Sequence, residues 1–83
     1  TDVRVSANMY KLFARLDVEM VNKKYGLMLP ESDDYETIAG LILHYYEDIP
    51  LKNNILTINE FKFTILNVND NAIQEVQLEV ITR

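Results

Sequence analysis

The chain has 83 residues, with eight lysines and arginines against 13 aspartates and glutamates, which gives a formal charge of −5. Apolar residues make up 48% of the composition, typical of one small globular domain with a single core and no mass for an elaborate enzyme. The acidic balance argues against nucleic-acid binding, and the absence of cysteine excludes disulfides and thiolate metal sites. The longest apolar run, residues 38–43, is far shorter than the roughly 20 residues of a membrane helix, so we expect no direct membrane insertion.

The N-terminal stretch alternates apolar and polar residues, which is the spacing of a strand. We predict a strand over residues 9–16. A weaker alternating stretch covers residues 3–7, and Asn8 marks a turn or break between the two.

Two helices are predicted next. Asp17 is placed to cap a short helix that runs through Lys24, and Gly26 is placed to end it. The second helix is predicted over residues 35–47, and the serine and aspartate side chains of residues 31–34 are placed to cap it.

The second helix should bury the stripe that recurs at positions i, i+3, i+4 and i+7, namely Ile38, Leu41, Ile42 and Tyr45. Gly40 lies inside this helix, where glycine costs up to about 1 kcal/mol relative to alanine, so we expect the backbone to approach the sheet closely there. Pro50 should end the segment, because the residue before a proline avoids helical angles.

The last third is rich in strands, which we predict over residues 55–58, 61–68 and 73–81. Short hairpin connections at residues 59–60 and 69–71 separate them. The predicted fold is therefore α+β, with two helices packed on a mainly antiparallel sheet in the order β-α-α-β-β-β.

Motifs of catalysis or nucleotide binding are absent from the sequence. The only histidine is His44, the only serines are Ser6 and Ser32, and no elbow or oxyanion-loop motif accompanies them. The two glycines, Gly26 and Gly40, form no phosphate-binding loop. We therefore expect no catalytic residues and no enzyme activity.

The negative charge is concentrated in one segment. Residues 31–48 contain six acidic residues and no lysine or arginine, whereas the rest of the chain has eight basic and seven acidic residues. Glu31, Asp33 and Asp34 are close enough in sequence to share a divalent cation through their carboxylate oxygens. The alternative is that these acids cap the following helix and stabilise its dipole.

The residues from Asp33 to Ile42, the later Ile49-Pro50 pair and the strand over residues 63–68 resemble the CorC/HlyC transporter-associated domain. The resemblance covers residues 9–80. Its most specific positions are Asp34, Tyr35, Thr37, Ala39, Gly40 and Pro50.

The sequence departs from the family pattern in three turns. Ala14 replaces a glycine, residues 53–54 are Asn-Asn where the family has a glycine-acid pair, and residues 59–60 are Asn-Glu in place of an acid-glycine hairpin. Asparagine tolerates left-handed backbone angles, so we expect the two later turns to persist. Ala14 puts in doubt any contact that depends on a bare backbone.

The resemblance implies a non-catalytic, regulatory domain of a bacterial magnesium/cobalt efflux or hemolysin-like protein. Its implied partners are the membrane region and the cystathionine-beta-synthase (CBS) domains of the same parent chain, on the cytoplasmic face of the inner membrane. The alternative function is a module that senses a divalent cation or binds an adenine or flavin nucleotide. FAD is implied only by the relation of this fold to flavin-binding domains.

The extent and assembly of the chain are also expectations. We expect residues 1–83 to form one such domain within a longer membrane protein, because the chain begins at Thr1 without an initiator methionine. An open sheet edge makes a homodimer a further expectation.

Overall fold

The computed structural model describes residues 3–48, 51–70 and 72–81, so that Ile49, Pro50 and Asn71 lie outside the described residues. In that part of the chain the elements are β1 (Val3–Ser6), β2 (Met9–Phe13), α1 (Val18–Tyr25), α2 (Ile38–Tyr45), β3 (Ile55–Ile58), β4 (Phe61–Asn69) and β5 (Ala72–Val80). The strands form one antiparallel sheet in the order β1-β2-β5-β4-β3. The predicted fold is confirmed, and the weak N-terminal stretch adds a strand of its own.

The two helices and one face of the sheet enclose the core. The buried sheet residues alternate along the strands and include Tyr10, Leu12, Phe61, Phe63, Ile65, Val76 and Leu78. The helices contribute Val18 and Val21 from α1 and Ile38, Leu41 and Ile42 from α2. The opposite face of the sheet carries charged side chains, among them the ion pairs Lys11–Glu75 at 3.5 Å and Lys62–Glu79 at 3.9 Å.

The segment between β2 and α1 differs from the prediction. The strand ends at Phe13 rather than at residue 16, because the chain turns there and the Leu16 N–H donates to the Phe13 carbonyl at 3.2 Å. The Ala14 carbonyl accepts a hydrogen bond from the Ala39 N–H at 2.8 Å. Asp17 holds the predicted N-cap position of α1, but its side chain makes no capping hydrogen bond to the described residues. Gly26 ends the helix with a φ of 65°, as predicted.

Helix α2 is shorter than predicted at both ends. It begins at Ile38 because the preceding residues are extended, and Asp17 and Thr37 form an isolated antiparallel bridge. The predicted capping by residues 31–34 is wrong, since the Thr37 hydroxyl accepts the hydrogen bond from the Gly40 N–H. The predicted burial of Tyr45 is also wrong, because the helix ends there and leaves the residue 49% exposed.

The turns at residues 53–54 and 59–60 adopt the predicted left-handed backbone conformation. Asn53 has a φ of 72° and Asn59 a φ of 55°, both in the left-handed region. Asp70, in the β4–β5 hairpin, has a φ of 51°. Asparagine and aspartate adopt this region more readily than other residues with a side chain, so these turns persist without glycine.

Candidate functional site

Asn22 in α1 fixes the start of the connection to α2. Its side-chain oxygen accepts a hydrogen bond from the Leu29 N–H at 2.9 Å, and its Nδ2 donates to the Leu29 carbonyl at 3.0 Å. The same Nδ2 donates to Oε2 of Glu31 at 2.8 Å. Because Leu29 is buried, its backbone groups need protein partners, and one side chain supplies both.

We call residues 31–40, which contain most of the family pattern, the signature loop. Tyr35 anchors its middle, since the ring is buried and the hydroxyl donates to the Pro30 carbonyl at 2.6 Å. A Cβ atom on Gly40 would lie only 2.8 Å from the Tyr35 Cβ, closer than real Cβ contacts come. The close approach expected at Gly40 is therefore to Tyr35 in the loop and not to the sheet.

Three aromatic rings extend from Tyr35 to the surface. The ring centroids of Tyr35 and His44 are 5.3 Å apart, and those of His44 and Tyr45 are 5.0 Å apart. Burial raises the pKa of Tyr35 above its usual value of 10.0, as do the Tyr45 side chain and then the carboxylates of Asp34 and Glu31. Tyr35 is thus held as a neutral hydrogen-bond donor.

Thr37 and its neighbours satisfy the amides at the start of α2. The Thr37 Oγ1 accepts from the Gly40 N–H at 3.1 Å. The N–H groups of Ile38 and Ala39 donate to carbonyls of the segment after β2, at 2.9 and 2.8 Å. All three amides of this first turn are therefore bonded within the protein, and they hold the loop against the sheet.

A flavin or adenine dinucleotide would need free backbone amides for its pyrophosphate, usually at a helix N-terminus. Those of α2 are occupied, and at α1 the Val18 N–H donates to the Glu36 carbonyl at 2.8 Å. The start of α2 therefore does not fit such a group.

The acidic side chains of the signature loop lie at the surface around a shallow cavity of about 390 Å³. Its lining comprises Asp17, Val18, Glu19, Glu31, Ser32, Asp33, Tyr35 and Glu36. Asp34 is also exposed, although it does not line the cavity, and its N–H donates to the Ser32 Oγ at 3.1 Å. No three histidine, aspartate or glutamate side chains within residues 3–48, 51–70 and 72–81 form a group that could hold a metal ion. The geometry is that of an acidic surface, with Glu31 bonded to Asn22.

A larger groove of about 720 Å³ opens where the start of α2 meets the ends of β2, β4 and β5. Its lining mixes the apolar side chains of Phe13 and Ile73 with polar ones such as Asn67 and Gln74. The Arg15 guanidinium carbon lies 5.2 Å from the centroid of the Phe13 ring. Sequence reasoning did not identify this groove, because its walls come from parts of the chain that are distant in sequence.

Sequence reasoning also missed two asparagines that hold loops. Asn22 could have been found, because asparagine is a weak helix former whose side chain competes for backbone groups. Asn54 accepts from the Tyr46 hydroxyl at 3.2 Å and from the Leu51 N–H at 2.9 Å. The sequence pattern marks it only as a turn residue.

Comparison with known families gives one match over nearly the whole chain. Residues 3–82 match CorC_HlyC, described as the transporter associated domain. Among curated proteins, the chain is 39% identical over 62 residues to the UPF0053 inner membrane protein YfjD of Escherichia coli (strain K12). That match covers 75% of this chain and 14% of the relative, so the chain spans about one seventh of that protein's length.

Solved structures share the fold. A functionally unknown conserved protein from Haemophilus influenzae Rd KW20 has a TM-score of 0.87 and 27% identity, covering 98% of this chain and 99% of that one. The CorC_HlyC domain of a Xylella fastidiosa Temecula1 hemolysin, in complex with Mg²⁺ and Mn²⁺, has a TM-score of 0.79 and 17% identity, with 98% of each chain covered. The transporter associated domain of a CBS domain protein from Porphyromonas gingivalis has a TM-score of 0.78 and 17% identity, covering 95% of this chain and 97% of that one.

Proposed function

Because the chain belongs to the CorC_HlyC family of transporter-associated domains, we propose that it is a regulatory domain of a bacterial ion transporter of the magnesium/cobalt efflux or hemolysin-like type. It acts by contact with other parts of the transporter and not by catalysis. The Escherichia coli relative is an inner membrane protein, which supports this setting. No helix in the described part of this chain is long and apolar enough to cross a bilayer.

The observation that carries the proposal is the rigid acidic surface of the signature loop. Asn22 fixes its start and Tyr35 its middle, while Thr37 fixes its end at α2. The exposed carboxylates of this loop have no basic residue among them in sequence. A surface of one sign, held in one conformation, is suited to recognise a partner of opposite charge.

The proposed partners are the membrane region and CBS domains of the parent chain, with the domain on the cytoplasmic face of the inner membrane. The neighbour from Porphyromonas gingivalis comes from a CBS domain protein, which supports such an arrangement. A change in contact at the acidic surface would then be transmitted to the transport pathway.

The test uses the transporter that carries this domain. Deletion of the domain should alter ion efflux or its regulation, and so should the double substitution Asp33→Asn with Asp34→Asn. A matched control, Glu60→Gln with Asp70→Asn, removes the same charge from exposed positions outside the loop and should leave efflux unchanged. Unchanged efflux and regulation after deletion of the whole domain would contradict the proposal.

A second candidate function is the binding of a divalent cation by Glu31, Asp33 and Asp34. These carboxylates form no metal-holding group as they stand in the described residues, so they would have to move together around the ion. It is favoured by the Xylella fastidiosa neighbour, whose structure contains Mg²⁺ and Mn²⁺. Calorimetric titration of the chain with MgCl₂, MnCl₂ and CoCl₂ should then release or absorb heat, and the Asp33→Asn, Asp34→Asn variant should lose that signal. Absence of a signal from the native chain would rule this function out.

A further inference from the structure

The two edges of the sheet are built differently. At the β1 edge, the Arg4 guanidinium donates to the carbonyls of Ser6 at 3.2 Å and Ala7 at 2.9 Å. The register between β1 and β2 is also irregular between Arg4 and Ser6. A charged side chain and an irregular register are two of the devices by which proteins prevent a further strand from pairing.

The β3 edge has neither device. Its four residues, Ile55–Ile58, are uncharged and contain no proline, and they pair with β4 in unbroken register. In the described part of the chain β4 is the one strand beside β3. Ile55 is 55% exposed, which leaves an apolar side chain in solvent at this edge.

The hydrogen-bond pattern shows which backbone groups of β3 point outward. The Ile65 N–H donates to the Asn54 carbonyl at 2.9 Å. Opposite residues in an antiparallel pair alternate between bonded and non-bonded, so Leu56 and Ile58 also bond to β4. The N–H and C=O groups of Ile55 and Thr57 therefore point away from the sheet.

We propose that β3 is the interface of a symmetric dimer, in which it pairs antiparallel with the β3 strand of a second copy of this chain. Leu56 lies opposite Leu56 of the second copy, in a non-bonded pair on the core face. Ile55 lies opposite Thr57 of the second copy, and the two exchange both backbone hydrogen bonds. The two sheets become one continuous sheet.

A second copy fits this edge because the register is self-complementary. Ile55 and Thr57 lie on the same face, so the symmetry that pairs them also keeps core face with core face. No like charges meet, since β3 is uncharged and Lys62, which lies opposite Thr57 on β4, is paired with Glu79 at 3.9 Å. The role of the dimer rests on the contact-based function proposed above, whereas its existence does not.

The first test is sedimentation equilibrium of the chain over a wide range of concentration. Thr57→Pro removes an outward N–H from each copy without removing a bond to β4, so the dimer dissociation constant should rise roughly 10- to 100-fold. Thr57→Val keeps that N–H and should leave the constant unchanged. Circular dichroism reports whether each variant folds, and Ile55→Lys, which keeps the backbone intact, should also weaken the dimer.

The second test fixes the register. The chain has no cysteine, and Cα atoms of a non-bonded antiparallel pair lie about 4.5 Å apart, within disulfide range. Mild oxidation should therefore cross-link Leu56→Cys across the symmetry axis, and Ile55→Cys much less. A chain that is monomeric at every concentration, or a cross-linking preference for Ile55→Cys, would overturn the inference. Either result leaves the efflux test at Asp33 and Asp34 unaffected.

Discussion

At the scale of single residues, the side chain of Asn22 makes three of the hydrogen bonds that hold the connection between α1 and α2. Two of them go to the backbone of Leu29, a buried residue. An unpaired buried amide or carbonyl costs free energy comparable to its full desolvation, so the cost of losing this side chain exceeds that of an exposed one.

We expect Asn22→Ala to lower the free energy of unfolding by about 2 kcal/mol, because both backbone groups of Leu29 lose their partner. Urea denaturation measures the change. The control is Lys23→Ala in the same helix, which removes only the exposed ion pair with Glu19 and should cost less than about 0.5 kcal/mol. Equal effects of the two substitutions would contradict the role assigned to Asn22.

Tyr35 gives a prediction for alkaline pH. Its folded-state pKa is raised above 10.0, so the fold favours the neutral phenol. This contribution to stability is complete below pH 10 and is lost as pH rises from 10 through the folded-state pKa, where the unfolded chain ionises first. The free energy of unfolding should therefore fall more steeply above pH 10 in the native chain than in Tyr35→Phe. Absorbance at alkaline pH should show a late-ionising tyrosine that Tyr35→Phe lacks, and identical titrations would refute the assignment.

At the scale of elements, the sequence predicted the helix and strand boundaries that neighbouring residues in the chain determine. The three C-terminal strands follow from alternation between turn residues, and the end of α1 follows from Gly26. The start of α2 could not be predicted in this way, because the extended backbone before it is held by the pairing of Thr37 with Asp17. These two residues are far apart in sequence. The acidic residues of the candidate site could be identified from the sequence because they are close together in the chain. The role of Asn22 could not, because it depends on contacts with Leu29 and Glu31 in the folded structure.

Replacing Gly40 in helix α2 with alanine should destabilise the chain, although alanine has the higher helix propensity. Alanine is the better helix former by about 1 kcal/mol, but its Cβ would lie 2.8 Å from the Tyr35 Cβ, an atom fixed to the backbone. We expect Gly40→Ala to destabilise the chain by about 1–3 kcal/mol, as overpacking does. Thermal unfolding provides the measurement, with Leu43→Ala at an exposed site of the same helix as the control. If Gly40→Ala were more stable than the native chain, the backbone at Tyr35 would have moved away without a loss of stability.

At the scale of the whole molecule, we expect the sheet to associate further if the protected β1 edge is opened. Arg4→Ala releases the carbonyls of Ser6 and Ala7 and should open the β1 edge. Light scattering should then increase with concentration beyond the value of a dimer. Arg15→Ala removes the same charge away from the edge and should have no such effect. An Arg4→Ala variant that stays dimeric would show that the irregular register alone protects β1.

A sheet with one open and one protected edge also limits its own growth. Strand pairing through β3 consumes the open edge of both copies and leaves protected β1 edges at the two ends, so addition terminates at two subunits. A higher concentration of the chain would therefore raise the fraction of dimers and would not produce fibres. The stoichiometry of the assembly is therefore set at β1, the edge of the sheet opposite to the interface, by Arg4 together with the irregular register.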